Sequence, residues 1–326
     1  VNNLIAAVKL TPNRLVAFLV GMAVVASVHA EESIMVIEAY SGKVLMASNS
    51  TQKRPIASLT KIATGAVAVD WAVASGIDIA THVITVPQSV VRVGGPNPMA
   101  LKPGDQLSLR DALYSVLLGS DNLAALTIAD HVGRQLLSSR GKSGDPLKEF
   151  VDEMNSLAKS LEMRNTRFAN PHGLERPQTK AYSTAADVAR LSVYAMRRNA
   201  FNFIVRQPTR KVKVDGVERD RAYVITNTNK LLSKDGVVGL KTGTTTAAGP
   251  CVSVCMDRDP LIRKKADGSK GVTPRRLIVV VLNNKDRFGR ATDLMTRGWA
   301  AYDAWLAAGA PVKNPEREII KVPKLF

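Results

Sequence analysis

The sequence predicts an α/β (α+β) fold in which one sheet is built from both ends of the chain and a helical subdomain is inserted between them. Three observations carry this. Strand-like stretches lie at 33–47 and return from 211 to 282, helical patterns fill the middle, and one more helical stretch near 290–306 closes the unit. Strands at both ends with helices between them are satisfied by a single sheet against which the helices pack.

The elements follow in order. Lys9 and Arg14 precede an apolar run from Leu15 to Val28, and Val28-His29-Ala30 offers small residues before Glu31-Glu32. That succession reads as a secretory signal peptide, residues 1–30; an uncleaved membrane anchor is the alternative, but the run is shorter than the ~20 residues of a spanning helix, so cleavage after Ala30 is expected. Ser33–Glu38 and Val44–Ala47, joined by Tyr40-Ser-Gly-Lys43, read as a hairpin. Ser58–Asp70 is so uniformly Ala, Ile, Val and Thr that it reads as a helix buried on most of its surface. Further helices are expected over 109–118, after Ser108-x-x-Asp111, over 122–132, over 147–161 and over 183–196. Strands are expected at 211–214, 223–226, 237–243, 250–256 and 276–282. Between the last two, the basic stretch 257–276 reads as a long hairpin loop, and three prolines make the tail 310–326 an unlikely place for a helix.

Composition narrows the class. Over 326 residues, 45% hydrophobic and 22% charged side chains are ordinary for a globular protein, with Leu, Val, Ala and Ile in place of scarce aromatics. Loss of Lys9 and Arg14 with the leader lowers the net charge from +17 to +15. Such a charge implies an anionic setting. With a leader present, that setting is the envelope, its anionic polymers or lipids, and not nucleic acid. Cys251 and Cys255 are four residues apart in a strand pattern, ~13 Å, too far for a disulfide. They read as small core residues, and four scattered histidines offer no metal site, so no metal or cofactor is expected.

The chemistry-bearing residues must be found by context. Ser-x-x-Lys occurs four times, starting at Ser50, Ser58, Ser139 and Ser156. Only Ser58 opens a buried helix, where free N–H groups and the helix dipole favour a developing oxyanion. Lys61 stands one turn further on, able to return to the Ser58 hydroxyl. A lysine base needs its pKa lowered by burial and by a second cation. Val238-Gly-Leu-Lys241-Thr242-Gly243-Thr244 supplies that cation at the end of a strand. Gly243 there lets an extended substrate lie along the strand edge, and Thr244 N–H is a candidate second oxyanion donor. This stretch lacks the Gly-Lys-Thr/Ser ending of a phosphate loop. Ser120-Asp121-Asn122, between two apolar helices, adds a hydroxyl for proton relay and an amide to hold a peptide bond. Alone, Ser58 reads equally well as a simple helix cap, and Ser120-Asp-Asn122 reads first as an ordinary one.

Together, Ser58-Leu-Thr-Lys61, Ser120-Asp-Asn122 and Lys241-Thr-Gly243 stand in the order and context of the penicillin-recognising serine enzymes. The chain closely resembles the serine D-alanyl-D-alanine carboxypeptidases, the low-molecular-mass penicillin-binding proteins. Further similar stretches are Arg54–Ser58, Met99–Asp105, Phe168–Leu174, Tyr182–Ala185 and Asn227–Leu231, so the resemblance covers about 33–308. It implies a β-lactamase/transpeptidase-like fold with an antiparallel sheet and a catalytic domain over 31–309. It also implies hydrolysis of D-Ala–D-Ala bonds of peptidoglycan stem peptides and covalent inhibition by β-lactams. In that scheme Ser58 is the nucleophile, Lys61 the base and Ser120 the relay, while Asn122, Lys241, Thr242, Gly243 and Thr244 hold substrate.

Departures from the pattern leave alternatives. Thr228 stands where some carboxypeptidases carry an Arg that grips the substrate carboxylate, as in relatives that act as DD-endopeptidases on crosslinks. Phe168–Leu174 replaces the Glu-bearing loop of class A β-lactamases, so efficient β-lactam hydrolysis is not expected. The chain stops soon after Leu306 with no C-terminal membrane anchor evident, which suggests a soluble or charge-held enzyme of the periplasm or envelope. A non-catalytic binder of wall polymer is the reading from a different class.

Overall fold

The structure is a computed structural model, and it describes residues 32–175, 179–264 and 268–322. The chain divides into two compact units, Val1–Ala30 and Glu31–Phe326. The first, expected to be the leader, lies outside the described residues, as do the last four residues of the tail. Among the described residues no helix is long and apolar enough to cross a membrane.

The chain runs β1 (Ser33–Glu38), β2 (Val44–Ser48), a 3-10 turn (Ala57–Thr60), α1 (Lys61–Ala74), β3 (Val83–Thr85), β4 (Gln106–Ser108), α2 (Leu109–Leu117), α3 (Asn122–Ser139), α4 (Pro146–Ser160), α5 (Ala185–Met196) and α6 (Asn199–Val205). It continues with β5 (Thr209–Val214), β6 (Arg221–Thr226), β7 (Val237–Thr245), β8 (Gly249–Lys264), β9 (Lys270–Leu282), α7 (Arg287–Ala307) and α8 (Pro315–Glu318). The main sheet has the order β2-β1-β9-β8-β7, with every pairing antiparallel. The N-terminal hairpin therefore lies against strands from the last third of the chain, as the segregated pattern predicts.

Alternation along the strands divides the interior in two. Met35, Ile37, Cys251, Cys255, Ile278 and Val280 face the helical core, whereas Ile34, Val36, Val252, Val254, Val279 and Val281 face α7, with Trp299 at its centre. Both sheet faces are covered, so β1 is apolar at nearly every position, without the alternation of a half-exposed strand. The cysteines are free and buried, as expected.

Three expectations need correction. The helix read from Ser58 begins as a 3-10 turn and becomes α-helical only at Lys61, because Ala57 enters with φ +47°. The described parts of the stretch 257–276 are not a loop: 257–264 and 270–276 continue β8 and β9, paired from Asp257↔Arg276 to Lys264↔Lys270 with a register irregularity between Arg258 and Leu261. Two strands satisfy each other's backbone whatever their side chains, so a polar sequence does not end the ladder. The tail contains a short helical turn, because Pro315 occupies its first position and Asn314 caps it through Arg317 N. Beside it Ile319 bridges Lys43. The short strands β3 and β4 and the helix α6 had no clear pattern in the sequence.

Candidate active site

The site forms where α1, α3, the edge strand β7 and the loop 168–174 meet. Arg54 pairs through its backbone with Ser183, and Gly173 (φ +86°) comes so close to Ala57 that a Cβ there would lie 2.0 Å from its carbonyl oxygen. The turn 57–60 is thereby clamped from both sides. Ser58 is the partly exposed residue in a row of buried neighbours.

Lys61 has no solvent exposure, yet its Nζ has three polar neighbours: Ser58 Oγ at 3.0 Å, Asn122 Oδ1 at 2.6 Å and the His172 carbonyl at 2.8 Å. Burial holds its pKa well below the usual lysine value, Lys241 pushes it further down, and Asp121 opposes them. The Asn122 amide is oriented by its other contact, since Nδ2 donates to the Gly94 carbonyl at 2.8 Å, an acceptor only. Its oxygen must then face Lys61. The amide expected to hold a peptide bond thus spends its oxygen on Lys61 and keeps one N–H for a ligand.

Loop 168–174 is shaped by Asn170, whose Oδ1 accepts from Gly173 N and whose Nδ2 donates to the Leu174 carbonyl, both at 2.7 Å. Thr64 of α1 donates to the Pro171 carbonyl at 2.6 Å. Together these contacts aim the His172 carbonyl at Lys61. A backbone acceptor leaves no mark in the sequence, and the loop was recognisable only as a family stretch.

Asp121, not Ser120, caps α3, accepting from Leu123 N and Ala124 N while Ser115 donates to its other oxygen. Ser120 is left out of the cap, in a left-handed conformation (φ +62°). Its hydroxyl hydrogen-bonds none of the described residues, so its link to Lys61 is not a direct bond in this structure.

On β7, Lys241 is fully buried with Nζ on the Thr242 carbonyl at 3.0 Å. Burial, with Arg287 adding to it, brings its pKa down to about 7. Thr242 Oγ1 lies 2.7 Å from Thr228 Oγ1. A Cβ on Gly243 would fall 2.7 Å from Ser58 N and 3.1 Å from Leu59 N, so the missing side chain makes room for the Ser58 turn itself. Arg287, at the first position of α7, donates through Nη1 to the Gly243 carbonyl at 2.7 Å and to Thr244 Oγ1 at 2.8 Å. The sequence reading missed Arg287. The one available signal was Asp286, whose side chain caps α7 through Gly289 N and places the helix start three residues earlier than expected.

A serine hydroxyl held on a buried, pKa-depressed lysine, with a glycine-bearing strand edge against its backbone N–H, is an arrangement for acyl transfer. A family model described as D-alanyl-D-alanine carboxypeptidase, peptidase S11, matches residues 21–262. The chain belongs to the peptidase S11 family. It is 32% identical over 286 residues to D-alanyl-D-alanine carboxypeptidase DacC of Escherichia coli, across 81% of this chain and 60% of that protein. The chain thus spans less than two thirds of the length of this curated S11 relative. Among solved structures it is similar to the Streptomyces K15 DD-transpeptidase (TM-score 0.68, 26% identity, 82% of this chain and 96% of that one). It is also similar to ampicillin-bound penicillin-binding protein D2 of Listeria monocytogenes (TM-score 0.63, 27% identity, 82% and 96%). The S11 chain therefore has the fold of the penicillin-recognising serine enzymes.

Proposed function

We propose that the protein is a penicillin-sensitive serine DD-peptidase, a D-Ala–D-Ala carboxypeptidase that cleaves peptidoglycan stem peptides through an acyl-enzyme on Ser58. The environment of Lys61 carries this reading. A neutral amine has two hydrogens and one lone pair. Asn122 Oδ1 and the His172 carbonyl have no hydrogen to give, so they take both of its N–H groups. The lone pair is then left for the Ser58 hydroxyl. Geometry and depressed pKa agree on a base.

In this mechanism Lys61 Nζ takes the Ser58 proton as Oγ attacks the penultimate D-Ala carbonyl. The oxyanion is met by Ser58 N–H and by the Thr244 end of β7. Collapse breaks the C–N bond, and the proton returns through Ser120 to the leaving amine of the terminal D-Ala. Water then attacks the ester, giving a proton to Lys61, and Ser58 leaves as the hydroxyl. Lys241, Thr242 and Arg287 form a cationic and hydroxyl-rich end to the cleft suited to a terminal carboxylate.

Endopeptidase cleavage of crosslinks is the second reading. It is favoured by Thr228, whose hydroxyl pairs with Thr242 where a carboxylate-gripping guanidinium would otherwise stand. The leader reading of residues 1–30 supports a place outside the cytoplasmic membrane, and the basic charge supports association with anionic envelope components.

The test is labelling with a fluorescent penicillin, followed by mass spectrometry of products from a stem pentapeptide and from a crosslinked muropeptide. The proposal predicts a covalent adduct that Ser58→Ala abolishes, and loss of one D-Ala from the pentapeptide. An unlabelled wild type, or a Ser58→Ala protein labelled as strongly, overturns it. Fast turnover of a chromogenic cephalosporin would make the protein a β-lactamase instead.

A further inference from the structure

Beyond Arg258↔Arg275, strands β8 and β9 have no other strand beside them, and they run on as a bare two-stranded ribbon to Lys264↔Lys270. Six residues of β8, 259–264, at ~3.3 Å each carry it roughly 20 Å past the Arg258↔Arg275 pair. Its base is fastened to α7, where the Arg258 guanidinium lies 4.3 Å from the Trp299 ring and bonds Asp303 at 3.1 Å. The Arg275 guanidinium bonds the Asp259 carbonyl across the ribbon. The ribbon is thus anchored at its base.

One face of it is unusual. Ile262 and Val272 are directly opposed, 63% and 62% exposed, and the next pair outward on the same face is Lys264↔Lys270. Exposed apolar pairs are rare on edge ribbons because they invite aggregation. Two lysines directly opposed destabilise the pairing that holds them. Among the described residues no carboxylate forms an ion pair with Arg263, Lys264 or Lys270. An apolar pair bordered by unpaired cations offers burial and charge neutralisation at once.

We infer that this ribbon is a docking device for an anionic lipid surface, with Ile262 and Val272 entering the headgroup region while Lys264 and Lys270 meet lipid phosphates. A lipid surface fits both halves of the feature, since each Lys or Arg near an anionic leaflet adds attraction and the apolar pair adds burial. A hydrophilic polyanion would use the lysines but leave Ile262 and Val272 in water. A second copy would bring the same cations and no anion to neutralise them. The inference is independent of the reaction at Ser58.

The test uses the full chain with Val272→Cys carrying an environment-sensitive fluorophore, because Cys251 and Cys255 are buried and do not compete for the label. The local probe separates the ribbon from the apolar segment 15–28. Vesicles of phosphatidylcholine with one third phosphatidylglycerol are expected to blue-shift and brighten the emission, and pure phosphatidylcholine to leave it unchanged. Lys264→Glu with Lys270→Glu should weaken the response at least tenfold, as should 0.5 M salt, and Ile262→Ser should weaken it severalfold. Penicillin labelling of Ser58 should be unaffected in all of them. No spectral change with anionic vesicles, an equal change with neutral ones, an equal change with soluble dextran sulfate, or a change that follows protein concentration without lipid would each overturn the inference.

Discussion

Nζ of Lys61 lies 2.6 Å from Oδ1 of Asn122, across 61 positions of sequence. The neutral amide accepts from the amine without favouring its protonated form as a carboxylate would. Asn122→Asp keeps the shape and adds a negative charge, which raises the Lys61 pKa by one to three units. Acylation by penicillin should fall roughly 10- to 100-fold at pH 7 and recover as pH rises, a shift that stopped-flow acylation rates against pH will show. A loss that is flat with pH would mean that Asn122 acts only on substrate.

Gly243→Ala places a methyl group 2.7 Å from Ser58 N. The 57–60 turn must move, at about 1–3 kcal/mol of overpacking. Acylation should fall at least 100-fold while thermal unfolding shifts by only a few degrees, because the displaced turn carries Ser58. Unchanged acylation would show that the turn yields without consequence.

Lys241, with its pKa near 7, should make carboxylate binding pH-dependent. A carboxylate prefers the protonated lysine, so KM for a pentapeptide should rise as pH rises through about 7, approaching tenfold per unit. A pentapeptide C-terminal amide should show no such rise. Equal profiles for the two substrates would remove Lys241 from carboxylate recognition.

Arg287→Gln removes one of the two causes that hold the Lys241 pKa down, along with the donor to Gly243 and Thr244. The KM inflection should therefore move above 7 while KM at pH 6 rises about tenfold. If Arg287 served only to fasten α7 to the strand, the inflection would stay in place.

His131 and His82 face each other with Nε2 atoms 2.8 Å apart, and the Trp71 ring packs edgewise on both. Burial, His82 and Arg134 bring the His131 pKa to about 4, with Asp130 opposing. The folded pKa lies below the unfolded one, so the unfolded chain takes up a proton first as pH falls. The contribution is complete above about 6.5 and is lost between there and 4. The melting temperature should drop over that window, and His131→Gln should flatten the slope.

The fold was legible wherever one physical signal dominated. The apolar β1, the buried α1 and the capped α2 and α5 declared themselves, and so did the two-ended sheet. The ribbon was misread because Arg258–Lys264 resembles a loop by polarity, whereas its order comes from the partner strand. At the site, Ser58, Lys61, Asn122 and Lys241 were visible as motifs. The His172 carbonyl, the Arg287 guanidinium and the tightness around Gly243 were not, because a carbonyl carries no residue identity and the other two depend on contacts between distant parts of the chain.

The place of β1 between β2 and β9 also sets an order in time. As the chain is synthesised, residues 33–61 emerge well before β9, so β1 has no partner on its β9 side until residue 282 is made. Contacts this distant in sequence form late. Until β7 is also made and docked, Ser58 and Lys61 lack both the Lys241 charge and the strand edge beside them. The nascent chain therefore carries Ser58 and Lys61 long before the groups that surround them, and the site is assembled together with the finished fold.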